Sequence, residues 1–157
     1  MMKKIVAPVI FLLFMCESAN AQAKASVQWI TFEQLEESLA EEPRKVFIDF
    51  YTDWCTYCRK MDKVVFTKPD VIDKLNKSYY AIRFNAESEQ SVDFGSRKFI
   101  NDQVGKSRNP LHQIAQLFAH RQGKFVAPTL VVLDEDFNVT ERYFEYMSSD
   151  RLLEILK

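Results

Sequence analysis

The stretch that decides the fold is Lys45-Val-Phe-Ile-Asp-Phe-Tyr-Thr-Asp-Trp-Cys-Thr-Tyr-Cys-Arg-Lys-Met61. Its first part, 45–51, is rich in branched and aromatic residues and is almost continuously apolar, which predicts a central β-strand covered on both faces. Its second part places Cys55 and Cys58 three positions apart at the start of a predicted helix that extends to Phe66. The stretch therefore predicts a strand that leads directly into a helix, with two thiols at the junction.

The position of the two cysteines at a helix N-terminus favours redox chemistry. The free N–H groups of a first helical turn and the helix dipole stabilise an anion, here the thiolate of Cys55. Cys58 lies one turn further on the same face, and side chains at this spacing have Cβ atoms about 5–6 Å apart, which a small adjustment brings into bonding range. We therefore expect Cys55 to be the exposed nucleophile that attacks a substrate disulfide, and Cys58 to be the sheltered thiol that then releases the reduced product.

Other interpretations of the cysteine pair are weaker. A disulfide that closes so short a loop is a poor structural staple, because stabilisation grows with the length of chain closed. A structural zinc site needs a full tetrahedral set of ligands. The only histidines are His112 and His120, which we interpret as solvated residues of one helix, so no metal is expected. An inert pair in a binding module of the same shape is a further alternative.

The beginning of the chain predicts a secretory signal peptide. Two lysines precede an unbroken apolar run over 5–15, and Ala19-Asn20-Ala21 offers the small-x-small pattern of a cleavage site. The apolar run is shorter than the roughly 20 residues that a membrane-spanning helix needs. We therefore expect residues 1–21, which include Cys16, to be removed. Residues 22–157 then form one domain outside the cytoplasm, without stable insertion into the membrane.

Composition and charge exclude several classes of function. The chain has 157 residues and a formal net charge of −1, so no basic excess points to nucleic acid or to an anionic membrane surface. The length after cleavage suits one hydrophobic core and is too short for two ordinary domains. An extracytoplasmic compartment also favours disulfides.

Strands and helices alternate along the rest of the chain. Further strands are predicted over 27–30, 79–85, 129–134 and 139–146, and further helices over 32–41, 67–77, 109–120 and 151–157. The expected helix signals are a capping box at Thr31-Phe-Glu-Gln34, caps at Thr67 and Ser149, and a stop at Gly123. This alternation, with a hairpin near its end, predicts an α/β fold with a mixed central β-sheet flanked by helices on both faces.

The polar segment 87–109 is predicted to be an insertion. It holds two of the three glycines, and apolar residues over 99–104 are spaced for a short amphipathic helix. If the strand over 79–85 runs parallel to the strand over 45–51, both end at the sheet edge that carries Cys55. We therefore expect the insertion to border the active site and to help select partners.

The quoted stretch, followed far downstream by Val126-Ala-Pro-Thr-Leu130, resembles the thioredoxin superfamily. The match covers almost the whole chain after the signal peptide, in that family's element order. The run 53–75 is most similar to the periplasmic branch typified by the C-terminal domain of thiol–disulfide interchange protein D. The resemblance implies a thioredoxin fold and a thiol–disulfide oxidoreductase that works through Cys55 and Cys58 without a cofactor.

The same resemblance implies roles for individual residues. Asp49 matches the family's buried acid, and a carboxyl in an apolar strand can take the proton of the resolving thiol. Pro128 matches the cis-proline beside the disulfide, which would leave the backbone of Ala127 free to pair with an extended substrate. Trp54 and Thr129 would line the same substrate-binding surface. The alternatives are a strand carboxyl held by a nearby donor, a proline at a strand start and an aromatic side chain that only packs.

Departures from the family pattern bear on the direction of electron flow. Thr56 and Tyr57 stand between the cysteines, where thioredoxin has Gly-Pro and where the family's strong oxidants and isomerases have histidine. A histidinium there would stabilise the thiolate and make the disulfide more oxidising. We therefore expect a reductase of protein disulfides that is recharged by a membrane electron donor. A disulfide oxidase or isomerase, and a non-enzymatic module that binds a metal or a protein, are the alternatives.

Overall fold

The computed structural model describes residues 25–156. The predicted signal peptide, residues 1–21, lies outside this range. Within the described range, none of the helices has the length and apolar character that crossing a membrane requires.

The order of the elements confirms the predicted alternation of strands and helices. The strands are β1 (Trp29–Ile30), β2 (Lys45–Tyr51), β3 (Tyr79–Asn85), β4 (Val92–Phe94), β5 (Arg97–Phe99), β6 (His120–Arg121), β7 (Lys124–Phe125), β8 (Thr129–Leu133) and β9 (Val139–Tyr143). The helices are α1 (Phe32–Glu41), α2 (Thr56–Val64), α3 (Pro69–Ser78), α4 (Gln113–Phe118) and α5 (Ser149–Ile155).

The central sheet is mixed, as predicted, with the strand order β1-β3-β2-β8-β9. Strand β2 pairs in parallel with β3 along its whole length, from Lys45 opposite Tyr79 to Tyr51 opposite Asn85. Strand β8 pairs antiparallel with both β2 and β9. Because β2 and β3 run in the same direction, their C-terminal ends lie side by side, and the cysteine pair follows β2 there. By the sheet edge we mean this border at the strand ends and not a lateral edge strand.

Helices cover both faces of the sheet, which is also as predicted. Residues 46–50 of β2 are all buried, and successive side chains of a strand point to opposite faces. Val46, Ile48 and Phe50 pack with α1 and α4, on a surface that we call the α1/α4 face. Phe47 packs with α2, α3 and α5, on the α2/α3/α5 face. Burial of each such large apolar side chain contributes about 1.5–3 kcal/mol, so β2 anchors both halves of the core.

The helix starts follow the sequence signals only in part. Thr31 and Gln34 form the predicted capping box of α1. Thr67 does not cap α3, because its hydroxyl donates to the carbonyl of Lys63 in the preceding helix. Helix α3 begins instead at Pro69, whose missing N–H is one of those that a first helical turn leaves without a partner. Helix α5 is capped by Ser148 rather than by Ser149.

The prediction of a helix over 99–104 is wrong. Strands β4 and β5 form an antiparallel hairpin whose turn is Gly95-Ser96, with φ angles of 60° and 57°. A two-residue turn with both φ angles positive matches the twist of the strands it joins, and glycine adopts that backbone without steric cost. The apolar spacing fits a helical template, but Phe99 pairs with Val92 in this hairpin, and residues 100–104 form no helix.

The predicted helix over 109–120 is shortened at both ends. Helix α4 starts after His112, which is its N-cap, and ends at Phe118. His120 lies in strand β6, which pairs with β7 across a second two-residue turn, Gln122-Gly123, with φ angles of 50° and 76°. Gly123 therefore forms a hairpin turn and does not stop the helix.

Candidate active site

The two cysteines form a disulfide at the N-terminus of α2, with Cα atoms 5.3 Å apart. Cys55 is the N-cap of this helix, and its sulfur accepts a hydrogen bond of 3.0 Å from the backbone N–H of Cys58. The backbone N–H of Cys55 donates to the carbonyl of Thr52 at 3.1 Å, which fixes the turn between β2 and α2. The sulfur of Cys55 thus lies where free N–H groups and the helix dipole stabilise negative charge.

Cys55 is not exposed in this disulfide form, which corrects the expectation of an exposed nucleophile. Cys55 is 4% exposed and Cys58 is 2% exposed. The Cys55 sulfur is turned toward the first turn of α2, where it accepts the bond from the N–H of Cys58. The aromatic residues next to the cysteines in the chain are accessible, since Trp54 is 58% exposed and Tyr57 is 60% exposed.

Asp49 is 1% exposed and points to the α2/α3/α5 face from the middle of β2. The β2–β3 register places it opposite Arg83, whose Nε donates to Oδ2 at 3.2 Å. The other oxygen, Oδ1, is buried and has no hydrogen-bond partner among residues 25–156. Burial raises the pKa of Asp49 from 3.8 to about 7, the Arg83 charge opposes this rise, and the Asp62 carboxylate adds to it. The carboxyl can therefore gain and lose a proton near neutral pH.

Sequence reasoning missed Arg83 and Asp62 as members of this site. Nη2 of Arg83 donates to Oδ2 of Asp62 at 2.6 Å, and the guanidinium lies 4.1 Å from the ring centre of Tyr51. Asp62 lies on α2, four residues after Cys58 and so on the same helix face. Burial also raises the pKa of Asp62, against the effect of Arg83. A strand alignment could have found Arg83, because Asp49 and Arg83 are each the fifth residue of their parallel strands.

The peptide bond between Ala127 and Pro128 is cis. Thr129, the first residue of β8, is completely buried opposite Phe50 of β2, and its hydroxyl donates to the carbonyl of Val126. Because β8 is antiparallel to β2, the residues just before Thr129 lie at the sheet edge from which β2 leads to Cys55. The strand register therefore places Ala127, Pro128 and the cysteine pair at the same edge.

The segment 87–109 contacts Trp54 at this edge. The indole N–H of Trp54 donates to both carboxylate oxygens of Glu87 at 3.1 Å, and Nδ2 of Asn109 donates to Oε1 of Glu87 at 3.1 Å. Residues at both ends of the segment thus join in one hydrogen-bonded cluster with Trp54. On the other flank, the ring of Tyr57 packs against Tyr146, with 6.0 Å between ring centres.

The interpretation of the histidines as solvated helix residues is wrong for His112 and misplaces His120. His112 is completely buried, its Nδ1 accepts a bond of 3.1 Å from the N–H of Ile114, and its ring packs edge-on against Phe84. The His112 ring therefore caps α4 and also packs in the core. His120 is exposed, but it lies in β6. Across residues 25–156, no cluster of three or more histidine, cysteine or acidic side chains could hold a metal ion.

Comparison with known proteins gives a consistent result. The family model of the thioredoxin-like domain matches residues 31–157. The thiol:disulfide interchange protein DsbD 2 of Pseudomonas aeruginosa is 42% identical over 55 residues, which cover 35% of this chain and 7% of that protein. The DsbD protein of Actinobacillus pleuropneumoniae is 32% identical over 92 residues, which cover 58% of this chain and 14% of that protein. The chain therefore spans only a small part of the length of these relatives.

Among solved structures, the reduced C-terminal domain of DsbD from Neisseria meningitidis superposes with a TM-score of 0.52 at 20% identity. The match covers 79% of this chain and 89% of that domain. At this identity the likeness supports the fold, which is the thioredoxin fold that the resemblance implied.

Proposed function

The chain belongs to the thioredoxin-like domain family, and from this premise we propose that it is an extracytoplasmic thiol–disulfide oxidoreductase that reduces protein disulfides. The observation that carries the proposal is the Cys55–Cys58 disulfide at the N-terminus of α2. This disulfide directly follows the strand that buries Asp49. A structural staple needs neither a helix N-terminus nor a buried acid whose pKa lies near 7.

The proposed cycle begins with the reduced dithiol. The Cys55 thiolate attacks one sulfur of a substrate disulfide, which forms a mixed disulfide and releases the other substrate sulfur as a thiolate. Cys58 then loses its proton and attacks the sulfur of Cys55. The second substrate thiol leaves, and the Cys55–Cys58 disulfide forms. Two electrons have passed from the enzyme dithiol to the substrate.

Asp49 accepts the proton of Cys58 in this proposal. A base is most effective when its pKa lies near the working pH, and burial gives Asp49 a pKa of about 7. The unpartnered Oδ1 is the oxygen available for this proton, since Oδ2 is engaged by Arg83. Asp49 lies on the sheet face that α2 covers, and Arg83 links it to Asp62, which lies on the same face of α2 as Cys58.

The substrate lies along the cis-proline in this proposal. The backbone of Ala127 pairs with an extended segment of the substrate, and Pro128 and Thr129 hold that backbone in place at the sheet edge. Trp54 and the segment 87–109 border the same surface and select among partners. This assignment draws on the cis bond and on the contact between Trp54 and Glu87.

The reducing direction and the compartment follow from separate arguments. No histidine lies between the cysteines to stabilise the thiolate. The predicted signal peptide exports the chain, and a membrane electron donor then returns two electrons to the disulfide. A measured reduction potential of about −270 mV supports a reductase, whereas a value of about −120 mV supports the oxidase or isomerase alternative.

Trapping of mixed disulfides tests the proposed activity. We expect Cys58→Ala to accumulate covalent adducts with substrate proteins through Cys55, because no second thiol can release them. Cys55→Ala is the matched control and should accumulate none. If reduced wild-type protein fails to cleave any disulfide and Cys58→Ala forms no adducts, the chain is not an oxidoreductase.

A further inference from the structure

We infer that a groove beside the disulfide receives a lysine or arginine side chain of the substrate protein, and that Glu87 selects it. The inference rests on the proposed function and names the class of substrate that the site prefers. The groove lies between Trp54, the segment 87–109 and the β6–β7 hairpin. Nothing in the cycle of Cys55 and Cys58 requires it.

The groove has the size and lining of a side-chain binding site. Its volume is about 470 Å³, within the range of roughly 300–1,000 Å³ that is common for binding clefts. Its apolar lining comes from Trp54, Leu111 and Phe125, and its polar lining includes Glu87 and Asn109. An apolar wall beside a carboxylate suits a long side chain with a methylene stem and a charged head.

Glu87 supplies a negative charge without a cationic partner. Its carboxylate accepts hydrogen bonds from the indole of Trp54 and the amide of Asn109, which are both neutral donors. None of the ion pairs among residues 25–156 includes Glu87. A carboxylate offers about four lone-pair sites, so it can accept further bonds from an ammonium or guanidinium group, which would be charge-assisted.

The other charge that lines the groove does not cancel this preference. Lys124 is exposed, so solvent and salt screen its charge more strongly than that of the half-buried Glu87. The groove therefore favours a cation beside Glu87.

The position of the groove links it to the chemistry of Cys55. Trp54 directly precedes Cys55 in the chain, so a side chain held against the indole belongs to a substrate residue near the attacked cysteine. The groove is also preformed. The N–H of Ala86 donates to the carbonyl of Tyr51 at 2.8 Å, and the N–H of His112 donates to the carbonyl of Ala86 at 2.8 Å. These bonds hold Glu87 in place before a substrate arrives.

The reduction rates of a peptide series test the inference. A series of disulfide-linked peptides carries lysine, its uncharged isostere norleucine or glutamate at each position near the cysteine, and single-turnover reduction rates are measured. At the best position we expect wild-type protein to reduce the lysine peptide about tenfold faster than the norleucine peptide, as for one charge-assisted contact. Glu87→Gln should bring this ratio close to one. The matched control Glu89→Gln removes the same charge from an exposed residue outside the groove and should keep the ratio.

The dependence on salt gives a readout that needs no variant. The lysine preference of wild-type protein should shrink as ionic strength rises, because salt screens a partly solvated ion pair. Equal rates for all three peptides at every position, or a ratio that Glu87→Gln leaves unchanged, would overturn the inference while the proposed function stands. Failure of wild-type protein to reduce any peptide would remove the proposed function as well.

Discussion

Asp49 and His112 are buried on opposite faces of the central sheet, and their surroundings differ. Asp49 lies on the α2/α3/α5 face and His112 on the α1/α4 face, and each has one buried polar atom, Oδ1 and Nε2 respectively, without a hydrogen-bond partner in the described range 25–156. Asp49 is bonded to the guanidinium of Arg83. No ion pair among those residues includes His112.

The difference shows how a counter-charge affects the pKa of a buried acid or base. Burial lowers the pKa of His112, while the carbonyls of Gln90 and Phe99 and the charge of Asp102 act in the opposite direction. Its Nδ1 accepts the bond from Ile114, so the neutral ring carries its proton on Nε2. Burial likewise disfavours the ionised form of Asp49, but Arg83 limits the rise, and the pKa stays at about 7. One group can exchange protons at neutral pH, and the other stays neutral and structural.

The largest expected effect comes from removal of the Asp49 charge. As the pH rises from about 4 to 7, the carboxyl ionises in the unfolded chain and stays protonated in the folded chain, so wild-type protein loses stability. The pKa of 3.8 rises to about 7 on folding, and a shift of roughly three units corresponds to about 4 kcal/mol. We expect Asp49→Asn to raise the free energy of unfolding by up to this amount at pH 8 and by little at pH 4. Urea unfolding of the oxidised protein measures it.

A surface variant provides the control for this experiment. Asp136 is exposed in the turn before β9, and Asp136→Asn should leave the pH dependence of unfolding as it is in wild-type protein. A gain in Asp49→Asn that is equal at pH 4 and pH 8 would mean that burial of the charge is not its cause.

The contrast between the two groups also marks the limit of sequence reasoning. Strand β2, the capping box of α1 and the cysteine pair depend on local patterns of residues, and they were predicted. Arg83 and Asp62 were missed because their roles depend on the register of β3 against β2 and on the packing of α2, which no local pattern contains. His112 was misjudged for a similar reason. Its cap position sits over Phe84, a residue of a distant strand.

Errors in the region between β3 and β8 have one physical cause. Apolar residues over 99–104 fit a helical period, but the turn Gly95-Ser96 commits Phe99 to strand β5 and no helix follows it. Helix α4 does form over 113–118, but the turn Gln122-Gly123 commits His120 to a second hairpin. Turn chemistry outweighed the predicted helix at Phe99 and at His120. The groove at Trp54 is built from the same region, so sequence reasoning could place the segment near the site but could not describe its walls.

A smaller effect is expected at His112. Its pKa is lowered from 6.5 in the folded protein. Below pH 6.5 the unfolded chain therefore binds a proton that the folded chain does not, and stability is lost as the pH falls toward the folded value. We expect this loss to reach at most about 1.4 kcal/mol per pH unit. His112→Asn keeps an acceptor for the N–H of Ile114 and should remove this contribution. The difference in unfolding free energy between the variant and wild-type protein should therefore change between pH 4 and 7 in urea unfolding, and the opposite contribution of Asp49 cancels in this difference.

The second histidine is the matched control. His120→Asn changes an exposed side chain and should leave the slope of wild-type protein unchanged. Loss of packing in His112→Asn lowers stability by a constant amount, so the slope and not the offset is the readout. An identical slope in wild-type protein and His112→Asn would show that His112 is not the group that titrates.

The smallest effect is expected from Arg83→Met. This substitution removes the counter-charge of Asp49, so that the surroundings of Asp49 resemble those of His112. Without the guanidinium, burial and the Asp62 carboxylate act unopposed, so the pKa of Asp49 should rise above about 7. Less carboxylate is then present at pH 7, and we expect resolution of the mixed disulfide by Cys58 to slow several-fold, with its pH profile displaced to higher pH. Rapid-quench kinetics from pH 6 to 9 measures this. Arg83→Lys keeps the charge and should displace the profile less. If neither variant displaces the profile, Asp49 is not the base. Loss of the Arg83 charge changes the pKa of Asp49, so it would change the pH dependence of any step in which Asp49 takes the proton.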